Sequence, residues 1–206
     1  MSSSCVGVLL AGGAARRFGG HPKGLARLGG VRIADLALAA LRGATTSQLV
    51  VANDPRAAAW FPGLRIVADE VRDVGPLAGL ATALTAAAGA SVLVVAWDMP
   101  YVTAELLAEL RRRGERGASA VVPVHGAARQ PEPLCAWYGP EALAPCLALL
   151  ERGERRAAAM LETLPGAEVL GDGALARFGS PTRLFTSVDT PDALAALGGT
   201  VDPSAG

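Results

Sequence analysis

Glycines and basic side chains that could bind a polyphosphate lie close together near the start of the chain. From Gly12 to Lys23 the sequence contains four glycines, two adjacent arginines and one lysine. A residue without Cβ lets backbone N–H groups approach an anion closely, and cations add charge to the same loop. Lys23 is the chain's only lysine among 19 basic residues, which favours a need for a compact ammonium group there. We therefore predict a phosphate-binding loop, with a tight turn and an incidental surface lysine as the alternatives.

Two familiar glycine signatures do not fit this loop. The dinucleotide fingerprint G-x-G-x-x-G would need glycine at position 14, where the chain has Ala14. A P-loop needs a lysine preceded by glycine and followed by serine or threonine, whereas Lys23 lies between Pro22 and Gly24. The loop is therefore neither a standard Rossmann turn nor a Walker loop.

Asp98 is the second candidate for chemistry, because it directly follows the continuously apolar run from Ser91 to Trp97. Such a run predicts a strand buried on both faces, and Pro100 prevents it from continuing. A carboxylate at that place is costly unless it is paired or binds a metal, and Mg²⁺ accepts one or two carboxylates together with phosphate oxygens. The alternative is a helix cap, for which Thr103 is better placed.

Polar residues also end two further predicted strands. Asn53 ends the apolar run that begins at Leu49, and Asp69 ends the run that begins at Leu64. Ligands of open α/β sheets bind at the carboxyl ends of strands, so both side chains could read a base or a ribose. The alternatives are a turn with a helix N-cap at Asn53-Asp54-Pro55 and a solvated loop pair at Asp69-Glu70.

The remaining pattern alternates short apolar runs with helical periodicity, which predicts one domain, a three-layer α/β/α sandwich on a mostly parallel sheet. We expect this domain to span 1–206, with a core at about 5–197 and a flexible tail at 198–206. Strands are predicted at 6–11, 49–53, 64–69, 91–97, 120–124, 134–138 and 184–189, and a hairpin tip at 29–30. Helices are predicted at 31–41, 75–88, 103–115, 140–152 and 154–164, and from Thr190 onward.

Composition excludes several classes of partner. The formal net charge is zero and the pI is about 6.7, so we expect neither nucleic acid nor a membrane surface as a partner. The apolar stretch from Val6 is too short for a membrane span and has no charged region before it, which favours a cytoplasmic protein. The odd number of cysteines, three, predicts buried thiols rather than disulfides or a zinc site.

The loop residues Leu10-Ala11-Gly12-Gly13, with Arg17, Gly19 or Gly20 and Lys23, resemble the signature of small nucleotidyltransferases related to molybdenum cofactor guanylyltransferase. The resemblance extends from Val6 to about Leu197 and implies a Rossmann-like fold of the nucleotide-diphospho-sugar transferase type. Further segments match in the same order: Gly75 to Gly79, Asp98 to Tyr101, Gln130 to Leu134, Gly153 to Arg156 and Val188 to Pro191.

The resemblance implies transfer of GMP from GTP to molybdenum-bound molybdopterin, with Mg²⁺ held by Asp98. Arg17, Lys23 and Asp98 would be catalytic. The nucleotide would contact Leu10, Ala11, Gly12, Gly13, Lys23, Asn53, Asp69 and Asp98. The pterin substrate would contact Gly75, Pro76, Gly79, Arg129, Gln130, Arg156 and Asp189. The helix beginning near Gly75 could add an anion-binding N-terminus. Transient contacts with molybdoenzymes or cofactor-delivery proteins are also implied.

Several alternatives stay open. The family often has asparagine where this chain has Ser187 and Asp189, so the chain departs from the family pattern at two positions near the implied pterin contacts. A cytidylyltransferase for the same pterin, another small-phosphate nucleotidyltransferase, and a non-catalytic nucleotide-binding adaptor are the competing functions. The arginine run at 111–113 favours a solvated helix end over a phosphate site. The two arginines at 155–156 lie in the first turn of the predicted helix at 154–164, where they oppose the helix dipole and so favour an anionic contact. His125 has no assigned role.

Overall fold

The computed structural model describes residues 4–12, 18, 21–69 and 75–201. Within them a mixed sheet has the strand order β10-β7-β9-β6-β1-β4-β5, with β8 paired to β7 and a separate hairpin formed by β2 and β3. The strands are β1 (Cys5–Leu10), β2 (Arg27–Leu28), β3 (Val31–Arg32), β4 (Ser47–Val51), β5 (Arg65–Val67), β6 (Ser91–Ala96), β7 (Ala120–His125), β8 (Gln130–Pro131), β9 (Cys135–Tyr138) and β10 (Glu168–Leu170).

The half of the sheet that carries the predicted site is parallel. β1 lies between β4 and β6, with Leu10 opposite both Val51 and Ala96, and β5 continues the parallel order beyond β4. β9 runs antiparallel to β6 and to β7, which makes the sheet mostly rather than wholly parallel. The carboxyl ends of β1, β4, β5 and β6 therefore lie side by side along one end of the sheet, which we call its carboxyl edge.

Helices cover both faces of the sheet, which confirms the predicted three layers. Leu9 of β1 packs in a core with α1 and α4, while Val8 packs on the opposite face with α3 and α5. This alternation follows from the two-residue period of a strand. The helices are α1 (Ile33–Ala44), α2 (Ala57–Trp60), α3 (Pro76–Ala86), α4 (Ala104–Gly114), α5 (Leu143–Glu151), α6 (Met160–Thr163), α7 (Asp172–Leu175), α8 (Pro181–Leu184) and α9 (Pro191–Ala196).

Two predicted elements differ from the structure. The predicted strand at 184–189 is wrong: Leu184 ends α8, and the following residues have no regular structure. Its apolar side chains are nevertheless buried, Phe185 and Val188 among them, so burial without sheet pairing produced the strand-like pattern. The predicted helix at 154–164 shrinks to a 3₁₀ turn (Ala157–Ala159) followed by α6. Arg155 and Arg156 thus precede the helix, and their predicted opposition to its dipole does not arise.

The arginine run at the end of α4 forms ion pairs within the protein, where the sequence predicted a solvated helix end. Arg112, Arg113 and Arg177 all contact the buried Glu109 carboxylate, and Arg111 pairs with Glu115. The pKa of Glu109 is lowered to about 2, and the largest cause is the hydrogen bonding from Arg112. This network is a structural ion-pair cluster rather than a phosphate site.

Cys5, Cys135 and Cys146 are buried free thiols, as predicted. Burial raises the pKa of each thiol, so none is suited to act as a nucleophile. Across the described residues, no helix combines the length and the apolar character needed to cross a bilayer.

Candidate active site

Lys23 and Asp98, predicted separately from the sequence, form an ion pair. Lys23 Nζ also donates to Asp189 Oδ1 at 2.7 Å, so one ammonium bridges two carboxylates. The Ser187 hydroxyl also lies within hydrogen-bond distance of both carboxylates, 2.9 Å from Asp98 Oδ2 and 3.2 Å from Asp189 Oδ2. We call Lys23, Asp98, Ser187 and Asp189 the charged cluster.

Close packing of backbone against a ring places Lys23 beside Asp98. Lys23 begins a short 3₁₀ helix (Lys23–Leu25), and a Cβ at Gly24 would overlap the ring of Trp97. Only glycine therefore lets this turn approach the residue that precedes Asp98. Trp97 is itself fixed by stacking on Trp60, at 6.1 Å between ring centroids. The Lys-Gly pair thus sets the position of the ammonium group.

Asp189 and Ser187 reach the cluster from the segment that sequence reasoning assigned to a strand. The Val188 N–H donates to the backbone carbonyl of Asp98 at 3.0 Å, and the Val188 side chain is buried. The side chains on either side of Val188 therefore point toward Asp98. The sequence signal for this segment is the match at Val188 to Pro191, from which the resemblance implies a pterin contact for Asp189.

The environment of Lys23 keeps it charged. Burial alone would lower the pKa of Lys23, but the charges of Asp98 and Asp189 and the hydrogen bonds to them outweigh it and raise the pKa above its ordinary value. Asp98 is only 5% exposed. The buried carboxylate is thus compensated by a cation, as a buried charge requires.

Asn53, Asp69 and Thr82 form a second group, which we call the neutral clamp because both side chains that hold the carboxylate are uncharged. Asn53 Nδ2 donates to Asp69 Oδ2 at 2.9 Å, and the Asp69 N–H donates to Asn53 Oδ1 at 2.8 Å. Thr82 Oγ1, on α3, donates to Asp69 Oδ1 at 2.8 Å. Sequence reasoning found Asn53 and Asp69 but missed Thr82, because a threonine within a helix carries no motif.

The turn predicted at 53–55 also forms, through the side chain of Asp54. The Arg56 N–H donates to Asp54 Oδ1 at 2.9 Å, and Asp54 accepts further bonds from the Arg56 guanidinium. Asp54, not Asn53, makes the local turn, so the side chain of Asn53 remains available to Asp69.

The charged cluster and the neutral clamp lie at the same sheet edge, on either side of β1. Asp98 follows β6 and Asp69 follows β5, and β1 and β4 lie between those two strands. Three strand spacings separate them, about 14 Å. Leu10, Ala11 and Gly12 lie between them at the end of β1, and a Cβ added to Gly12 would meet open space.

The predicted pterin-contact residues fall into separate places. Gly75, at φ +104°, packs its Cα against Arg155, whose carbonyl accepts from the Leu77 N–H at 3.2 Å. Pro76 and Arg156 flank this contact, so these residues share one location. The first two residues of α3 offer no N–H group to an anion, because Pro76 has none and the Leu77 N–H is bonded to Arg155. The predicted anion-binding N-terminus is therefore not observed at these two residues. Gly79 lies beside Leu10, on the side of the predicted nucleotide site.

The loop between β7 and β8 carries the other two predicted residues. Arg129 is exposed with φ +50°, a backbone conformation uncommon for a residue other than glycine, and Gln130 is exposed at the start of β8. Two side chains beside this loop also interact: His125, which ends β7 and had no assigned role, and Glu132, which follows β8. His125 Nε2 lies 2.9 Å from Glu132 Oε1, and the imidazole stacks on Phe185. Burial, and then the charge of Asp98, raise the pKa of Glu132.

Comparison with known proteins decides the family. The family model described as "MobA-like NTP transferase domain" matches residues 7–169. The chain belongs to this family. A relative from Chloroflexus aggregans named "probable molybdenum cofactor guanylyltransferase" is 34% identical over 195 residues, covering 91% of this chain and 90% of the relative. A molybdenum cofactor guanylyltransferase from Serratia proteamaculans is 32% identical over 180 residues, covering 86% and 89%.

A solved structure agrees with this assignment. The crystal structure of molybdopterin-guanine dinucleotide biosynthesis protein A from Archaeoglobus fulgidus has a TM-score of 0.78 to this chain at 28% identity, covering 93% of this chain and 96% of that one. The chain is therefore a nucleotidyltransferase with the fold of the nucleotide-diphospho-sugar transferases, as the sequence predicted.

Two of the predicted residues of this MobA-like domain, Gly13 and Arg17, lie outside the described residues. Lys23 and Asp98 are in contact, while Asn53 and Asp69 form the neutral clamp. In the described part of the chain no three His, Cys, Asp or Glu side chains converge as a complete metal site. A cation held by fewer than three protein carboxylates completes its coordination with phosphate oxygens or water.

The charged cluster fits a cation of that kind. Two carboxylates, Asp98 and Asp189, already share one positive group, the Lys23 ammonium. Mg²⁺ is a hard cation that commonly uses one or two carboxylates and completes its coordination with phosphate oxygens and water.

Proposed function

We propose that this chain transfers GMP from GTP to the terminal phosphate of molybdenum-bound molybdopterin, releasing pyrophosphate. The observation that carries the proposal is the pairing of the only lysine, in a glycine-rich loop, with a buried carboxylate at the carboxyl edge of the sheet. Membership of the MobA-like family supports the substrate assignment, since relatives of similar length are named molybdenum cofactor guanylyltransferases.

In this scheme GTP lies along the sheet edge from the neutral clamp to the charged cluster. Asn53 and Asp69 read the nucleoside, and Leu10, Ala11, Gly12 and Gly13 border it. The phosphates lie near Lys23, and Arg17 adds a second cation to the same loop. Nucleotidyl transfer depends on positioning and on stabilising phosphate charge, which are the tasks that this arrangement suits.

The reaction needs no covalent intermediate. An oxygen of the pterin phosphate forms a bond to the α-phosphorus, the bond from that phosphorus to the bridging oxygen breaks, and pyrophosphate leaves with the electron pair. Lys23 stabilises the added negative charge as a point charge that can follow a moving phosphate. Asp98, together with Asp189, would hold Mg²⁺, which when bound neutralises phosphate charge.

Lys23 serves both the carboxylates and a phosphate in this scheme. Its ammonium contacts Asp98 and Asp189, and we propose that it also contacts a phosphate of GTP, beside the metal that the two carboxylates would hold.

The pterin would lie beside Gly75, Pro76, Gly79 and Arg156 and near the loop of Arg129 and Gln130. This placement extends the family resemblance to residues that the structure groups only in part. We also place the reaction in the cytoplasm and expect transient contact with molybdoenzymes or delivery proteins that take up the product.

Pyrophosphate release tests the proposal directly. Purified protein is supplied with Mg²⁺, molybdenum-bound molybdopterin and either GTP or CTP, with acceptor omitted as the control. We expect release only with GTP and acceptor together. Release with CTP instead would identify a cytidylyltransferase, and binding of GTP without any release would support the adaptor function.

A further inference from the structure

Asp69, which lies outside any helix or strand, is hydrogen-bonded at both carboxylate oxygens and at its backbone N–H. Each oxygen of its carboxylate accepts one hydrogen bond from the protein, Oδ1 from Thr82 and Oδ2 from Asn53. Its backbone N–H is bonded to Asn53 as well. The donors come from a helix and from a second strand end, so two elements fix the plane of this carboxylate.

Through this contact Thr82 joins α3 to the loop after β5. It lies partly buried on α3, a helix whose buried face is formed by leucine and alanine side chains, and its hydroxyl reaches out of the helix to the loop after β5. A threonine in a helix interior is mildly unfavourable, because its β-branch restricts the side chain. A fixed carboxylate is the direct consequence of its presence.

We propose that Thr82 is a positioning residue of the nucleotide pocket, which orients the Asp69 carboxylate toward a pair of hydrogen-bond donors on the nucleoside. A carboxylate oxygen can accept more than one hydrogen bond, so the two protein donors leave acceptor capacity on both oxygens. The shared chemistry is an N–H or O–H donor pair, which guanine offers at N1 and N2 and ribose offers at its two hydroxyls.

This role rests on the proposed nucleotide-binding function and refines it. An ionised carboxylate only accepts hydrogen bonds, so a carboxylate fixed in place binds ligand groups that donate hydrogen bonds and repels ligand groups that accept them. If the donors are those of guanine, cytosine pairs less well with such a group, because its N3 and O2 are acceptors and its N4 amino group is its only donor; ribose donors are common to both nucleotides. Thr82 therefore acts through Asp69 on recognition of either the base or the ribose.

The test compares Thr82→Val, which keeps the shape but removes the hydroxyl, with Thr82→Ser, which restores it. Thr85→Val serves as the matched control, since Thr85 is exposed on the same helix. Dissociation constants and steady-state kinetics are measured for GTP, 2′-deoxy-GTP and ITP, which lacks the guanine amino group.

We expect T82V to raise the GTP dissociation constant and KM about tenfold, the usual weight of a hydrogen bond to a charged group, with little change in kcat. T82S and T85V should resemble the wild type. The preference for GTP over one of the two analogues should fall in T82V: a change with 2′-deoxy-GTP shows that Asp69 reads ribose, and a change with ITP shows that it reads guanine.

A purely structural role for Thr82 would lower the melting temperature of T82V but leave the GTP constants and both preferences unchanged, and that result overturns the proposal. If T82V does not fold, Thr82→Cys makes the same comparison with a weaker donor and should give an intermediate KM. Failure of the wild-type chain to bind GTP would contradict the proposed function itself, which separates the two ideas.

Discussion

Two buried or half-buried aspartates lie at the same edge of one sheet, and the protein holds them by different means. Asp98 is held by a cation, the Lys23 ammonium, and shares it with Asp189. Asp69 is held by two neutral donors, Asn53 and Thr82. In the first case the partner cancels charge, while in the second the partners fix direction and leave the charge in place.

The difference indicates a division of labour. A cation between two carboxylates can be exchanged for another cation, because the carboxylates keep their need for positive charge. A carboxylate fixed by neutral donors keeps its acceptor capacity and its orientation, which suits recognition of a ligand's hydrogen-bond donors. The charged cluster thus suits charge stabilisation in the reaction, and the neutral clamp suits binding.

Asp98→Asn should give the largest effect. Loss of the buried charge removes the proposed metal ligand and the partner of Lys23, so pyrophosphate release should fall a hundredfold or more. The fold should persist, because asparagine keeps the shape. Asp35→Asn is the control, since the Asp35 carboxylate, on α1, is held by Arg32, which has no assigned role in the site, and this variant should retain activity within twofold. Activity of D98N above about a tenth of wild type would contradict a catalytic role for Asp98.

Lys23→Ala should come next. Removing the ammonium leaves two carboxylates without their shared cation and removes a phosphate contact, so GTP should bind about tenfold or more weakly. Isothermal titration with GTP and Mg²⁺ measures this directly. Arg42→Ala, an exposed residue in the last turn of α1, is the matched loss of one positive charge. Equal affinities for K23A and wild type would show that the loop does not bind phosphate.

Asp69→Asn should separate the two groups most clearly. The neutral amide loses one acceptor, so GTP affinity should fall about tenfold while kcat for the bound complex changes little. The pattern is the reverse of that expected for D98N, in which kcat falls most. If D69N lowered kcat and left KM unchanged, the assignment of binding to the neutral clamp would be wrong.

Glu109→Gln should affect stability rather than activity, because Glu109 belongs to the structural ion-pair cluster of α4. We expect the free energy of unfolding to fall by about 1 to 2 kcal/mol, with kcat/KM within twofold of wild type. Urea denaturation and the pyrophosphate assay measure the two quantities. A large loss of activity in E109Q at full stability would show that this cluster acts in the reaction.

The pH dependence of that stability has a definite sign. The pKa of Glu109 in the folded protein, about 2, lies below its ordinary value of 4.5. Its contribution is therefore fully present above pH 4.5 and is lost as the pH falls toward 2. The difference in unfolding free energy between wild type and E109Q should shrink over that range, and a difference independent of pH would contradict this origin.

Much of the fold could be predicted because the local signals agree with the tertiary structure. The apolar run before Asp98 is β6, and the cap at Thr103 is observed, with its side chain accepting from the Leu106 N–H. The segment at 184–189 failed because Phe185 and Val188 are buried at the end of the sheet rather than in it. Burial alone does not distinguish these cases from sequence.

The site was predictable in its parts but not in its contacts. Lys23 and Asp98 each carried a local signal, whereas their shared partner Asp189 lies 166 positions from Lys23. Such a pairing depends on how the chain end crosses the sheet edge, which no local pattern specifies. Thr82 carried no sequence signal, because what distinguishes it is the Asp69 carboxylate that accepts from its hydroxyl, and that contact is visible only in the structure.

A thermal-shift panel of GTP, CTP, ATP and UTP, each with and without Mg²⁺, tests the central claim most directly. A ligand at about a hundred times its dissociation constant stabilises the folded chain by about 2.7 kcal/mol, which is readily detected. The account predicts a shift with GTP that depends on Mg²⁺ and is lost in K23A. A preference for CTP, or no shift with any nucleotide, would contradict it.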